Sequence, residues 1–426
     1  MDRVVMRQKR FKSINNCSHS DDHATNNKYM YIRQCSNSSS NKSFILFSEL
    51  SQDLMLAILT LLPIECMLNS ARYVSKFWAT AISACLPLKP PGIYVFKTSS
   101  RENSYFLNIQ DHVNGQPERI ALGTPSRMGC VLATCHGILL LHNVATLTFA
   151  VNPILKCCFR IPSLPNKSTR NISCRATIAR VPRTAKFKLF VIDLLNVSGV
   201  NWYVFYVLTI GVDNTWKEIA RKEAIRKCIF FGEPVYNGEN DVYWITRDGV
   251  TMMDIDREII IREYPLPPPL VDRAPVGVFS WMGDRLSCTI LVKGITRFSR
   301  SYLDKQKKRL SRTYQIYALD LDLGKWTLYH EMGPFDYGAT CGHALDYDIN
   351  ITVMGLKFRF WINDQIFFLA LTIPPRKRTS VLGLKTTIFS YNVKTRQLTK
   401  TGDIAVGNFQ AFPHTNTLVS LPSTPT

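Results

Sequence analysis

The chain has 426 residues, of which 46% are hydrophobic and 11% aromatic. That composition supplies a large core and excludes a chain disordered along its whole length. Lys and Arg total 52 against 32 Asp and Glu, a formal net charge of +20, which directs attention to acidic partners.

Residues 1–43 are rich in Ser and Asn and poor in apolar side chains, and they predict a disordered tail. The tail has no apolar run of the kind a secretory signal needs. Its basic start (Arg3, Arg7, Lys9, Arg10, Lys12) is offset by Asp2, Asp21 and Asp22.

Helical patterns crowd residues 44–86. From Leu54 to Ile64 no residue is charged. Leu54, Ile58, Leu61 and Leu62 mark one face, and Met55 and Leu59 mark another. A helix apolar on every side is normally buried on every side, and so small a unit cannot do that alone. The surplus face therefore requires another domain or another protein. Ser51 is placed to cap the helix, and Asp53 puts negative charge in its first turn. Pro63 ends it. Val74, Phe77, Trp78, Ala81, Ile82 and Cys85 then form a second helical stripe, which Pro87, Pro90, Pro91 and Gly92 stop.

In order, Leu50, Asp53-Leu54, Ile58-Leu59, Leu62-Pro63, Leu68, Arg72, Val74-Ser75-Lys76 and Trp78 resemble the F-box, the plug that joins substrate receptors to the Skp-type adaptor of cullin ubiquitin ligases. Ser51 stands where that family usually has Pro. The resemblance implies three helices and an adaptor contact through Leu50, Leu54, Ile58, Leu62, Pro63, Leu68, Val74 and Trp78. A small helical subdomain packed on the rest of the chain is the plainer alternative.

Residues 87–92 read as a linker. Between Arg127 and Lys156 there is no Lys, Arg, Asp or Glu, but His136, Gly137, His142, Asn143 and Pro153 interrupt the run. It predicts two buried strands, Thr134 to Leu141 and Leu147 to Val151, with a polar turn near Asn143, and no membrane span.

From residue 93 to 424, short runs rich in Val, Ile, Phe, Tyr and Trp alternate with Gly, Asp, Asn and Pro, which predicts an all-β domain. Asn201 to Ile210, Asp241 to Thr246, Thr313 to Leu321 and Thr387 to Val393 are examples. A loose repeat runs through the domain: an apolar run reaches Asp or Asn, turns, and resumes at an apolar or aromatic residue. Copies lie at Asn152 (to Phe159 and Ile161), Asp213 (to Trp216), Asp254 (to Ile259), Asp320 (to Trp326) and Asn392 (to Leu398). Each is a hairpin, and the spacing fits about six or seven propeller blades. The expected architecture is thus α+β and multidomain, with three small helices before an all-β propeller-like domain.

Cys135 to Leu140, Val151 to Pro153, Ile161 to Pro165, Pro234 to Gly238 and Tyr264 to Pro267 resemble the F-box-associated, kelch-like domain of large plant families. The kelch diglycine is missing, and residues 166–200 and 270–310 fit the repeat poorly. The resemblance implies a domain that recruits a target protein while the helical plug reaches the adaptor and, through it, the cullin scaffold.

No catalytic constellation stands out, and His136, His142 and His343 are isolated. The 12 Cys include no C-x-x-C pair. The reading is of reduced thiols in the nucleus and/or cytoplasm, with no metal and no cofactor. Basic runs at Arg297 to Arg312 and Arg376 to Arg378 read first as solvated loops and second as a nuclear address. Nucleic acid is not the expected partner, since the aromatics do not interleave with these runs. The alternative function is a binding module, unconnected to a ligase, whose basic β domain takes an acidic ligand or nucleic acid.

Overall fold

The computed structural model describes residues 51–422 apart from 63–65, 68–69, 86–90, 98–103, 114–115, 122–127, 144–146, 164–174, 226–231, 271–276, 295–310, 337–355, 363, 373–384, 405–408, 418 and 420. The tail expected over 1–43, Leu50, Pro63, Leu68, His343, the run Arg376 to Arg378 and most of the run before Arg312 lie outside the described residues.

Two short helices come first, α1 (Gln52–Leu61) and α2 (Lys76–Cys85), with a 3-10 turn at Ala71–Tyr73. Ser51 caps α1 as expected: its Oγ accepts the Leu54 N–H at 3.3 Å. Leu62 leaves the helix for extended backbone at ψ 139, the geometry that the following proline demands. Ser75 caps α2 in the same way, its Oγ accepting the Trp78 N–H at 3.2 Å. In the stretch where the middle one of the three expected helices falls, Cys66 and Met67 are described before the 3-10 turn, and both are helical.

Strands follow as far as His414: β1 (Gly92–Lys97), β2 (Tyr105–Val113), β3 (Gln116–Ala121), β4 (Cys130–Cys135), β5 (Ile138–His142), β6 (Thr148–Asn152), β7 (Cys157–Ile161) and β8 (Ala176–Arg180). Next come β9 (Phe187–Val197), β10 (Val200–Thr209), β11 (Lys217–Glu223), β12 (Val235–Tyr236), β13 (Asp241–Ile245), β14 (Val250–Asp254), β15 (Ile259–Tyr264) and β16 (Val278–Met282). The last are β17 (Arg285–Gly294), β18 (Ser311–Asp320), β19 (Lys325–Asp336), β20 (Leu356–Ile362), β21 (Gln365–Thr372), β22 (Lys385–Asn392), β23 (Gln397–Ile404) and β24 (Phe409–His414).

They form six four-stranded antiparallel sheets. Five are consecutive meanders, β4–β7 through β20–β23. The sixth has the order β24-β1-β2-β3, so the last strand pairs with the first. Neighbouring sheets touch through β24, β4, β8, β12, β16 and β20 in turn, and β20 returns to β24. These are the edge strands of the six sheets, and their contacts close a ring. The fold is a six-bladed β-propeller, within the range of six or seven expected.

Six hydrophobic clusters fill the six gaps between blades. A strand between two such gaps must be apolar on both faces, which explains the unbroken apolar runs. In β1, Tyr94 and Phe96 enter one cluster while Ile93 and Val95 enter another. In β13, Val242 and Trp244 face one side, and Tyr243 and Ile245 the other.

The sequence repeat is the turn between the third and fourth strands of blades 2 to 6. In four copies the Asn or Asp at the strand end accepts two backbone N–H groups with one side-chain oxygen: Asn152, Asp254, Asp320 and Asn392. The residue four positions on adopts positive φ in each: Lys156, Glu258, Gly324 and Arg396. Asx side chains favour this local bonding. Where described, residues 166–200 and 270–310 hold other strands of their blades, β8 and β9 and then β16 and β17, which is why they fit the repeat poorly.

One expectation is corrected. Thr134 to Leu141 is not one strand but β4, a turn and β5. His136 (φ 42) and Gly137 (φ 77) occupy the two central positions, the geometry of a tight type I′ hairpin. A Cβ on Gly137 would meet Thr417 Cγ2 at 2.2 Å, so glycine is required twice over. The expected polar turn at Asn143 is present, its Oδ1 accepting the Leu147 N–H at 3.0 Å.

Asn152 does more than turn the chain. It is fully buried, and its Nδ2 donates to the carbonyls of Thr417 at 3.1 Å and Val419 at 2.8 Å. The segment after β24 is thereby tied to blade 2. Asn152→Asp retains the turn acceptor but loses both donors, so we expect it to lower stability by about 2–4 kcal/mol. Asp320→Asn changes only an acceptor in an exposed turn and should cost no more than about 0.5 kcal/mol. Urea unfolding of the two variants checks the contrast.

Candidate docking surface

The helical segment has two unlike faces. Met55, Leu59, Met67, Ala71 and Ile82 are buried in one continuous cluster with Tyr94, Phe96 and Phe106 of blade 1 and Val131, Leu139 and Leu141 of blade 2. Leu62, Trp78 and Ala81 pack against that cluster from its margin. This is the plainer alternative realised in part: one face of the segment is an extension of the propeller core.

The other face is open. Leu54 is 51% exposed, Leu61 85%, Tyr73 68%, Val74 63% and Phe77 46%. Leu54 and Leu61 are separated by seven residues, with the half-buried Ile58 between them, so these three share one face of α1. Exposed apolar groups scattered singly need no explanation. Five lie exposed on one short segment, other apolar residues of which pack with the propeller.

The residues expected to touch an adaptor are therefore divided. Leu54 and Val74 are exposed and available, and Ile58 is half-buried. Leu62 and Trp78 are only partly buried and pack against the cluster that the helical segment shares with the propeller. Leu62 thus belongs with Met55 and Leu59, not with Leu54 and Ile58 as helical spacing suggested, because the chain leaves the helix there. Leu50, Pro63 and Leu68 lie outside the described residues. Sequence reasoning missed Tyr73 and placed Phe77 in the second helical stripe without assigning it to the open or the packed side.

Charge contributes little at this surface. Arg72 stacks over the Tyr73 ring, 4.5 Å from its centroid, and bonds its hydroxyl. Asp53 lies exposed in the first turn of α1.

A second feature lies at one mouth of the central ring, where β4, β12 and β24 end. A cavity of about 230 Å³ opens there, with Thr134, Cys135, His136, Tyr236, Pro413 and His414 in its wall. The Tyr236 hydroxyl donates to the Arg180 carbonyl at 2.9 Å and lies 3.0 Å from that of Glu239. Thr134 Oγ1 donates to the Pro413 carbonyl at 2.7 Å, joining two of the edge strands. His142, by contrast, only shares a 3.0 Å hydrogen bond with Thr148.

Among the described residues no three His, Cys, Asp or Glu side chains gather to hold a metal ion. No described helix is long and apolar enough to cross a membrane.

No protein-family model matches the chain, and no curated protein matches it. Solved structures do. A putative TolB from Agrobacterium tumefaciens is 9% identical, with 76% of this chain and 98% of that chain covered, at a TM-score of 0.36. An oligogalacturonate lyase in complex with manganese is 10% identical, with 70% of each chain covered, at 0.34. YCF48 bound to D1 peptide is 8% identical, with 78% of this chain and 94% of that chain covered, at 0.32. The propeller assignment stands on the strand pairing and not on these likenesses.

Proposed function

We propose that this protein is a non-catalytic interaction scaffold: the substrate-recognition subunit of a cullin ubiquitin ligase. Its helical segment docks to a Skp-type adaptor, and its propeller recruits a target protein. It acts by proximity, holding a target lysine near a charged conjugating enzyme and so raising the effective concentration. It works in the nucleus and/or cytoplasm without cofactor.

One observation carries this reading. The helical segment has its Met55–Leu59 face fixed to blades 1 and 2, while Leu54, Leu61, Val74 and Phe77 stay open. A plug needs both properties, since it must hold the propeller at a fixed orientation and still present apolar surface to a partner. The ordered resemblance from Leu50 to Trp78 names that partner.

Co-purification of the full chain with a Skp-type adaptor tests the proposal. The native chain is expected to retain the adaptor. Leu54→Asp combined with Val74→Asp should weaken binding at least about 30-fold, the effect of losing one interface hot spot. A native chain that fails to retain the adaptor, or a double variant that still does, would falsify the assignment.

A further inference from the structure

The ring is closed once β24 ends at His414, yet the chain beyond it is buried as deeply as the core. Thr415, Asn416, Thr417, Val419, Leu421 and Pro422, the described residues there, belong to no helix or strand. They leave blade 1, cross blade 2 and reach blade 3. A Cβ on Gly137 of blade 2 would collide with Thr417, and one on Gly211, in the β10–β11 turn of blade 3, would meet Pro422 Cγ at 2.3 Å. Leu421 is buried in the cluster between blades 2 and 3, with Val419 packed at its margin. Asn416 and Thr417 are each 3% exposed. Fixing a segment without regular structure costs conformational entropy at every residue, and closure of the ring does not require it.

Two of its anchors border the cluster that seats the helical segment. At its root, the His414 ring lies 5.3 Å from that of Tyr94 and 6.2 Å from that of Phe106, both members of that cluster, and Phe412 packs against it. Further on, Asn152 holds the segment and the β6–β7 turn with one side chain. Its Nδ2 donates to the carbonyls of Thr417 and Val419, and its Oδ1 accepts the Ile154 and Leu155 N–H groups at 2.9 and 3.1 Å. Ile154 is buried in the same cluster as Met55, Leu59, Met67, Ala71 and Ile82. An Asp would serve the turn alone, as Asp254 and Asp320 do; the amide is needed only for the segment. Close-packed interiors transmit strain, so a shift of the segment reaches the cluster in which the helices sit.

We infer that the segment after His414 is a clasp: it fixes the helical segment on the propeller, through Asn152 and the β6–β7 turn on one side and His414 on the other. The inference deepens the reading of the helical segment as a plug, and its consequence rests on that reading. Adaptor and target are held at one relative orientation while the clasp is shut, and opening it would leave the adaptor bound but the target lysine unaligned.

Hydrogen exchange of the full chain, read by mass spectrometry, tests the clasp. No adaptor is used, so failure here and failure of the co-purification are distinguishable. The readout is the exchange rate of α1 and α2 relative to β18 and β22, in blades 5 and 6, so that a general loss of stability cancels. Leu421→Ala and Leu208→Ala remove the same atoms from the same cluster, but only Leu421 is on the clasp. We expect Leu421→Ala to raise the ratio about tenfold, the equivalent of about one net hydrogen bond, and Leu208→Ala to leave it within about twofold of native. Asn152→Asp, which frees the segment from the turn, should raise it about as much as Leu421→Ala and carries the test should Leu421→Ala not fold. An unchanged ratio in Leu421→Ala or Asn152→Asp overturns the inference, as does a rise in Leu208→Ala equal to that in Leu421→Ala.

Discussion

Truncation after residue 408 is expected to abolish cooperative unfolding. The segment removed contains β24, which pairs with all six residues of β1, from Gly92↔His414 to Lys97↔Phe409. Without it blade 1 loses the strand that touches both β20 and β4, and the ring opens. Two clusters lose members: Ala411 between blades 6 and 1, and Leu421 between blades 2 and 3. Asn152 loses both carbonyl partners. A whole domain is stable by only about 5–15 kcal/mol, and a breach at its closure affects every gap around the ring. A thermal scan followed by near-ultraviolet circular dichroism should show no sigmoidal transition. A sharp transition near the native midpoint would mean that the ring does not depend on its last strand.

The second large effect is at Trp244. It is 1% exposed, the largest fully buried side chain described, and lies in the gap between blades 3 and 4. Its ring meets Phe205 edge-on, with centroids 5.9 Å apart, a geometry that aromatic pairs prefer. Trp244→Ala would leave a cavity between two rigid sheets that cannot close over it, at a cost of about 3–5 kcal/mol. Trp244→Phe keeps most of the volume. The indole Nε1 has no hydrogen-bond partner, so its removal sacrifices no bond, and the cost should stay below about 1.5 kcal/mol. Urea denaturation of both variants reads the difference. Equal losses would show that the gap does not depend on packing volume.

What the sequence reveals, and what it hides, follows from range. The third-to-fourth-strand hairpins were legible because each is local: Asp254 or Asn392 binds N–H groups two and three residues on, and an apolar residue resumes at fixed distance. Ring closure was not legible, since β1 and β24 meet across more than three hundred residues, and nothing near Gly92 or Phe409 declares the pairing. The turn at His136-Gly137 was hidden inside a run without charge, where Gly137 alone marked it. The helical segment shows the sharpest limit. Periodicity separated Leu54 and Ile58 from Met55 and Leu59, yet both sets are equally apolar. Which one the propeller covers depends on shapes in blades 1 and 2.

Adjacent residues on α1 give the most direct test of the two-faced segment. Leu54→Asp and Met55→Asp place the same charge one position apart, on the open face and on the fixed one. Stability by urea unfolding and adaptor affinity by calorimetry should be measured for both. Leu54→Asp is expected to leave stability within about 0.5 kcal/mol of native while adaptor affinity falls. Met55→Asp, at a site with no exposure, should lower stability by about 3 kcal/mol or more. If Leu54→Asp destabilises the fold as Met55→Asp does, the face assigned to a partner belongs to this chain's own core, and if it leaves adaptor affinity intact, the adaptor does not use that face.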